Sequence, residues 1–455
     1  MPFLAHALTK NPDGLALEDS TGSLSYRELH GRAEEMARRL VSAGVTPGDV
    51  VAIRGELDRE FVALAHGVWK AGGAVAPLSA RWTSSEEGTA LQLLRPSRIE
   101  YVPGPPGREG DGPPLPGPEA RGGPLPGLGE GDLAAFLLTS GTSGTPKVVG
   151  LTAGNLLASA RASRERLGLE PSDRWLASLS PAHVGGLALL TRAGALGSGV
   201  VLQGGFRAET FLALAEEGAV THASLVPTML HQTLEALGGR PAPASLRCVL
   251  LGGAPAPEGL LERALASGIP LALTYGLTEA SSQVATATPD LVRRKPGTVG
   301  PPLPGVEVAL SEEGELLVRG ATVATGWAGD DGWLRTGDLA RLDQEDHLWI
   351  VGRASHRIIS GGVNVDPAEV EAVLMEHPEV REAAVVGLPD PVWGEGVAAA
   401  VVPVHGGSLT EDELGELVRK ALSGPKRPRA WRFVEALPRN ANGKVDRERL
   451  RSLFR

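Results

Sequence analysis

Between Leu24 and Leu78 the chain alternates amphipathic helical spacing with short, wholly apolar runs, which restricts the fold to helices layered on a buried sheet. SYRELHGRAEEMARRLVSAG reads as a helix ending at Gly44, followed by a strand from Val50 to Ile53. A second helix near Glu60 to Lys70 leads through Gly72-Gly73 into the apolar AVAPL run. LAAFLLTS, RCVLLGGA and LALTYGLTE read as further buried strands. The helix around Leu260 to Ala266 between the last two makes a βαβ unit. GELLVRG and HLWIVGR are strands of a more β-rich stretch. Beyond Arg353 the pattern restarts, with helix-start signals at Asp366-Pro367-Ala368-Glu369 and at Thr410 to Glu413.

These signals predict an α/β protein in two domains. Residues 1–352 form a large N-terminal domain of α/β layers plus a β-rich subdomain, and residues 353–455 a small α+β C-terminal domain, with the boundary near Gly352 to Ser355. The length of 455 residues agrees, being too great for one compact core. Between Pro103 and Gly131, 19 of 29 residues are Gly or Pro, so that segment reads as a surface loop or linker.

The formal net charge of −10 gives no general attraction to nucleic acid or anionic lipid, so local groups must hold any polyanionic ligand. No run of about 18 apolar residues occurs, and Met1 to Lys10 lack the pattern of a signal peptide. One cysteine, Cys248, cannot form an internal disulfide, and a cytoplasmic location is expected. Only 7 of the 44 basic Lys and Arg residues are Lys, which gives Lys147 and Lys444, both in motifs, added weight.

Thr139-Ser140-Gly141-Thr142-Ser143-Gly144-Thr145-Pro146-Lys147 comes directly after a buried strand. Glycines let backbone N–H groups converge on an anion, hydroxyls add donors, and Lys147 adds a full charge, a combination suited to a polyphosphate. It is not a Walker loop, because Val148 rather than Ser or Thr comes after the lysine. Taken alone, the string is also compatible with a plain Ser/Thr/Gly turn.

Six further motifs come in order along the chain. The first four are Gly252-Gly253-Ala254, Tyr275-Gly276-Leu277-Thr278-Glu279, Thr336-Gly337-Asp338 and Gly352-Arg353. Gly361-Gly362-Val363-Asn364 and Pro438-Arg439-Asn440-Ala441-Asn442-Gly443-Lys444 complete the series. Together with the string from Thr139 to Lys147, they resemble the adenylate-forming, AMP-binding superfamily of acyl-CoA synthetases, adenylation domains and luciferases. The resemblance implies an acid–thiol ligase with ATP, Mg²⁺ and coenzyme A as cofactor and cosubstrates. A small carboxylic acid is activated as its acyl-adenylate and then transferred to CoA.

It also implies roles residue by residue. Lys444 bridges the carboxylate and the α-phosphate, Glu279 is the Mg²⁺ ligand and Thr278 contacts the α-phosphate. Thr139, Ser140, Gly141, Thr142, Ser143 and Lys147 hold phosphates. Gly253, Ala254, Tyr275 and Gly276 surround adenine, while Asp338 and Arg353 reach the ribose or phosphate. His183 and Gly252, with Ser282 and Gln283, line the acyl pocket. Ser355 marks a hinge about which the small domain rotates, and Gly361 and Gly362 open a path for the pantetheine thiol. Each residue has a plainer reading when taken singly: a solvated Lys, a surface Glu, a core Tyr, a satisfied core His, polar packing at a helix start for Ser281 to Gln283. Departures from the family pattern fall at Val148, Ala182, His356 and Val363.

Residues 245–257 and 275–286, with Asp173 to Leu176 and Pro227 to Leu230, are similar to the o-succinylbenzoate–CoA ligases of menaquinone biosynthesis. Other aryl or medium-chain acyl-CoA ligases, and a stand-alone adenylation enzyme serving a carrier protein, stay open at this point. Family habit implies a homodimer.

Overall fold

The structure, a computed structural model, describes residues 3–102, 124–139, 146–404, 409–440 and 444–454, without the side chains of residues 355 and 364. In chain order the strands are β1 (Leu15–Asp19), β2 (Gly22–Ser25), β3 (Val50–Gly55), β4 (Ala74–Ser79), β5 (Arg98–Tyr101), β6 (Leu133–Thr139), β7 (Lys147–Thr152), β8 (Arg174–Ala177), β9 (Gly199–Leu202), β10 (His222–Leu225), β11 (Cys248–Leu251), β12 (Leu271–Leu277) and β13 (Ser282–Ala287). After them come β14 (Val306–Leu310), β15 (Glu315–Gly320), β16 (Leu334–Leu342), β17 (Leu348–Arg353), β18 (Ile358–Ser360), β19 (Val363–Val365), β20 (Val380–Asp390), β21 (Gly394–Pro403) and β22 (Ala430–Phe433). Contacts divide the chain into two compact units. One holds residues 1–253, 263–308 and 318–334, and the other holds 254–262, 309–317 and 335–455.

The first unit carries two sheets. One has the order β13-β12-β11-β10-β8-β9-β1-β2 and the other β5-β3-β4-β6-β7. The two expected N-terminal helices form at Tyr26–Ser42 and Arg59–Lys70. Ser25 and Glu28 cap the first reciprocally, each side chain bonding the other's backbone N–H, and Asp58 caps the second by accepting from the Phe61 N–H. One continuous core joins both sheets to these helices and to Ala153–Leu167 and Val184–Leu196. Two buried polar tips lock it: the Tyr26 hydroxyl donates to the Ala193 and Ser198 carbonyls at 2.8 and 2.6 Å, and the Trp69 indole N–H to the Ala134 carbonyl at 2.8 Å. The predicted βαβ unit is present, with β11 and β12 parallel neighbours around the helix Glu258–Ala266. Most of the Gly/Pro-rich segment lies outside the described residues. Its end is anchored, with the Gly127 N–H on the Lys70 carbonyl and Leu128 buried.

Strands β14 to β17 line up in that order, which accounts for the β-rich stretch. In the second unit, β18 to β22 make a five-stranded sheet whose two faces carry different cores. Val397, Ala399 and Val401 of β21 face the helices Pro367–Met375 and Glu411–Ala421, while Ala398, Ala400 and Val402 pack with Leu437 and Leu450. Both helix starts read from sequence are real: Asp366 caps the Ala368 N–H, and Thr410 forms a capping box with Glu413. No helix among the described residues is long and apolar enough to cross a membrane.

Candidate active site

Strands β8, β10, β11 and β12 run parallel, so their carboxyl ends share one edge, where open α/β sheets bind ligands. Ser178, Val226, Gly252-Gly253 and Thr278-Glu279 leave the sheet along that edge. Two glycines there have no substitute. A Cβ on Gly252 would lie 2.7 Å from Thr274 Cγ2, and one on Gly276 would lie 1.7 Å from the Ser282 carbonyl oxygen. Gly253, at φ +81°, then turns the loop toward Ala254. The backbones of the two motifs thus pack without intervening side chains, which leaves Tyr275, half-buried and paired with Ala285, at the rim.

Thr278 and Glu279 sit in the tight turn Thr278–Ala280 directly after β12, pinned where the Ala324 N–H donates to the Glu279 carbonyl at 2.8 Å. The Glu279 carboxylate is half-buried and has no hydrogen-bond or ion-pair partner among the described residues. Those residues contain no group of three or more His, Cys, Asp or Glu able to cage a metal. A single unengaged carboxylate is nevertheless what Mg²⁺ needs when phosphates and water complete its octahedron, so the site fits that ion.

Strands β6 and β7 pair antiparallel with Thr139 opposite Lys147, so the two ends of the predicted phosphate loop are adjacent. Ser140, Gly141, Thr142 and Ser143 lie outside the described residues. Lys147 Nζ stands 5.9 Å from the centroid of the Trp327 ring. The helix Ala153–Leu167, next after β7, ties this strand pair to the acid motif. Ser159 donates to the Ser281 carbonyl at 2.7 Å, and Ser163 donates to Gln283 Oε1 at 2.6 Å.

The acyl-pocket residues are not all used as expected. His183 is half-buried at the start of the helix Val184–Leu196, in a turn so tight that a Cβ on Gly186 would lie 2.2 Å from the Ser180 carbonyl. Ser281 ends the turn Thr278–Ala280 and Ser282 begins β13, both in left-handed backbone, φ +55° and +100°, so this is a strand start and not the helix start considered from sequence. Gln283 is 2% exposed. Its oxygen accepts from Ser163 and from Arg192 at 3.2 Å, and its nitrogen donates to Thr286 at 2.8 Å. Its amide is therefore spent inside the protein and does not face a pocket.

Sequence reasoning missed Arg192. The helix VGGLALLTRAGAL carries one charge, and that lone cation in an apolar helix was the available signal. Arg192 is 4% exposed, and its guanidinium lies 4.9 Å from the Trp175 ring centroid and leaves Nε without a partner. Burial lowers its pKa to about 10, so it stays charged at neutral pH with no carboxylate among its described partners. Trp175 stacks on His222, with centroids 5.0 Å apart, and donates its N–H to Ser224 Oγ at 3.1 Å.

In the second unit, Asp338 and Arg353 are opposite residues of β16 and β17, with Nε–Oδ1 at 3.3 Å. Thr336 accepts from the Asp338 N–H at 3.1 Å and bonds the Leu316 carbonyl, fixing the turn. Gly361 and Gly362, at φ +57° and +77°, form the two-residue turn between β18 and β19, with Ser360 opposite Val363. The Trp393 ring occupies the place of a Gly361 Cβ, and Arg429 lies 3.9 Å from that ring's centroid. Ser355 lies in the short turn Ala354–His356. Lys444 stands at the base of a hairpin: Asn440 and Lys444 exchange backbone and side-chain bonds at 2.8 and 3.1 Å. The following helix Arg447–Ser452 is clamped by Arg447 on the Val385 carbonyl and Glu371.

A family model described as AMP-binding enzyme matches residues 4–328, and one described as AMP-binding enzyme C-terminal domain matches residues 369–444. The 2-succinylbenzoate–CoA ligase of Bacillus pumilus is 34% identical over 476 residues, covering 99% of this chain and 97% of that protein. Its namesake in Bacillus cereus strain Q1 is 37% identical over 469 residues, covering 97% and 96%. Among solved structures, the o-succinylbenzoate CoA synthetase of Bacillus subtilis in complex with the acyl-adenylate intermediate aligns with a TM-score of 0.89 at 31% identity, covering 99% and 97% of the two chains. ATP-bound MatB of Rhodopseudomonas palustris aligns with the same TM-score of 0.89 at 28% identity, covering 100% and 98%.

Proposed function

The chain belongs to the AMP-binding enzyme family, and on that premise we propose that it is an ATP-dependent ligase converting o-succinylbenzoate to o-succinylbenzoyl-CoA in menaquinone biosynthesis. In the first half-reaction a carboxylate oxygen bonds to the α-phosphorus while the bond to the β-phosphate oxygen breaks and pyrophosphate leaves. In the second, the CoA thiol sulfur bonds to the acyl carbon, AMP departs with its oxygen, and the thiol proton passes to solvent. Both steps bring negative groups together, so the protein's work is neutralisation and alignment.

Lys444 bridges the attacking carboxylate and the α-phosphate, a role suited to a compact ammonium set on an anchored hairpin. Glu279 holds Mg²⁺, which when bound supplies charge neutralisation on the phosphates. Thr278 binds the α-phosphate and Tyr275 packs on adenine, with Gly252, Gly253 and Gly276 giving the close backbone approach. Lys147 and the loop from Thr139 hold the remaining phosphates. Asp338, positioned by Arg353, accepts from the ribose hydroxyls. The turn at Ser355 is the hinge, and Gly361-Gly362 with Trp393 flank the thiol's path. His183 and Ser282 line the acyl pocket.

The observation that carries the choice of a dicarboxylate is Arg192, a buried guanidinium with no counter-charge among the described residues. A substrate's second carboxylate would supply that charge and accept from the unpartnered Nε. A cytoplasmic setting is supported by the single buried Cys248, and a homodimer, following family habit, is testable by sedimentation equilibrium.

The test is thioester formation by purified protein with ATP, Mg²⁺, CoA and a panel of acids. O-succinylbenzoate is expected to stand far above benzoate and fatty acids. Lys444→Ala is expected to slow adenylation by about 10²–10³-fold, the cost of removing a preorganised donor from a developing anion. A different preferred acid would overturn the substrate; adenylate that never reaches CoA would point to a carrier-protein acceptor.

A further inference from the structure

We propose that Trp175 is a positioning residue for substrate selection: one indole, by its face and its edge, sets Arg192 and Ser224 as a paired receptor for the second carboxylate. This rests on the reading of Arg192 given under the proposed function. Three observations support it.

The first is the guanidinium itself. Arg192 is the lone charge of its helix, and its packing on the Trp175 face at 4.9 Å replaces the counter-ion that a buried cation otherwise requires. A guanidinium held by a π-face keeps its in-plane N–H groups available for an incoming carboxylate, whereas one held by Asp or Glu would have spent them. Gln283 takes one N–H, from Nη2, and Nε remains without an acceptor.

The second is the indole edge. Trp175 Nε1 donates to Ser224 Oγ, so the Ser224 oxygen is an acceptor in that bond and its own proton is left to donate. That proton has no acceptor among the described residues. Ser224 immediately precedes Leu225, the last residue of β10, at the carboxyl edge where Gly252 and Glu279 also emerge.

The third is rigidity. Trp175 is 2% exposed, is paired in register with both β9 and β10, and stacks on His222. His222 is itself held by Thr221 at 2.8 Å and lies 3.6 Å from Asp173, which also pairs with Arg247. An indole fixed on several sides transmits its position to both groups it touches, with little rotamer freedom left to lose on binding.

The test compares kcat/KM for o-succinylbenzoate with that for 4-oxo-4-phenylbutanoate, which lacks the ring carboxylate, in wild type, Trp175→Leu, Trp175→Phe and Arg192→Met. Trp175→Leu removes face and edge and is expected to raise KM for o-succinylbenzoate about tenfold, the worth of a desolvated cation–π contact. The ratio between the two acids should fall by the same factor, with kcat and the KM for ATP near wild type. Trp175→Phe keeps a π-face and loses the N–H, so it should fall between, and it keeps the test available if the leucine variant folds poorly. Equal losses on both acids, or a loss confined to kcat, would make Trp175 merely structural and overturn the proposal. If Arg192→Met collapses the ratio while both Trp175 variants leave it intact, the positioning role is wrong and the dicarboxylate reading stands. If Arg192→Met leaves the ratio unchanged, that reading fails and takes this inference with it.

Discussion

Buried residues that cannot take up a proton tie this protein's stability to pH. His66 is 1% exposed, leaves Nδ1 without a partner and packs edge-on to Trp69; burial pushes its pKa down to about 3. Burial likewise lowers His222 and His356 to about 4, the latter helped by Arg447, Arg353 and Arg451. Unfolded, each returns to about 6.5, so between about pH 6.5 and 4 the unfolded chain binds protons that the folded one refuses. Stability must therefore fall as pH drops through that window. The urea midpoint is expected to be lower at about pH 5 than at about pH 7, and His66→Leu should flatten that slope. A slope unchanged in the variant would mean that the side chain is protonated in the folded protein.

At the scale of elements, the helix Ala153–Leu167 joins the β6–β7 pair to the acid motif, and its first turn carries much of that connection. Thr152 and Asn155 cap reciprocally, and Asn155 Nδ2 also donates to the Ala321 and Val323 carbonyls at 2.8 and 3.1 Å. Thr152→Ala removes one cap and should cost about 1 kcal/mol. Asn155→Ala strands two carbonyls as well and should cost about 2–3 kcal/mol by urea unfolding. It should also weaken ATP binding, since the same helix positions Ser159 against the turn that holds Glu279. Equal costs for the two substitutions would show that the carbonyl contacts contribute nothing. Such starts were legible in sequence wherever Ser or Thr precedes an acid by three residues, as at Thr410 and Glu413. Thr152 with Asn155 carries no such signal, because its reciprocal partner is an amide.

For the whole molecule, the proposed two-step reaction calls for the C-terminal domain to present different residues to each half. The proposed hinge, Ser355, lies in the turn Ala354–His356, whose Arg357 N–H closes on the Ala354 carbonyl. Ser355→Pro fixes φ near −65° and should let adenylation proceed, read as pyrophosphate exchange, while thioester formation falls by an order of magnitude or more. Equal loss of both half-reactions would place the rotation axis elsewhere.

Taken by itself, the sequence determined the reaction and the elements: glycine-dense motifs such as Gly252-Gly253 and Tyr275 to Glu279 encode close backbone approaches that no other residue permits, and helical or alternating spacing encodes the layers. Those are local properties, set by sterics within a few residues. The assignment of polar side chains to solvent, core or substrate was decided only by tertiary structure. Gln283 looked like a pocket residue and is fully bonded to Ser163, Arg192 and Thr286, whereas Arg192 looked like one of many arginines and is a buried charge with no carboxylate among its described partners. The physical reason is that the energy of a buried charge or amide depends on partners some 90 to 120 residues away, Arg192 and Ser163 on Gln283, and local sequence carries no record of which distant group will arrive.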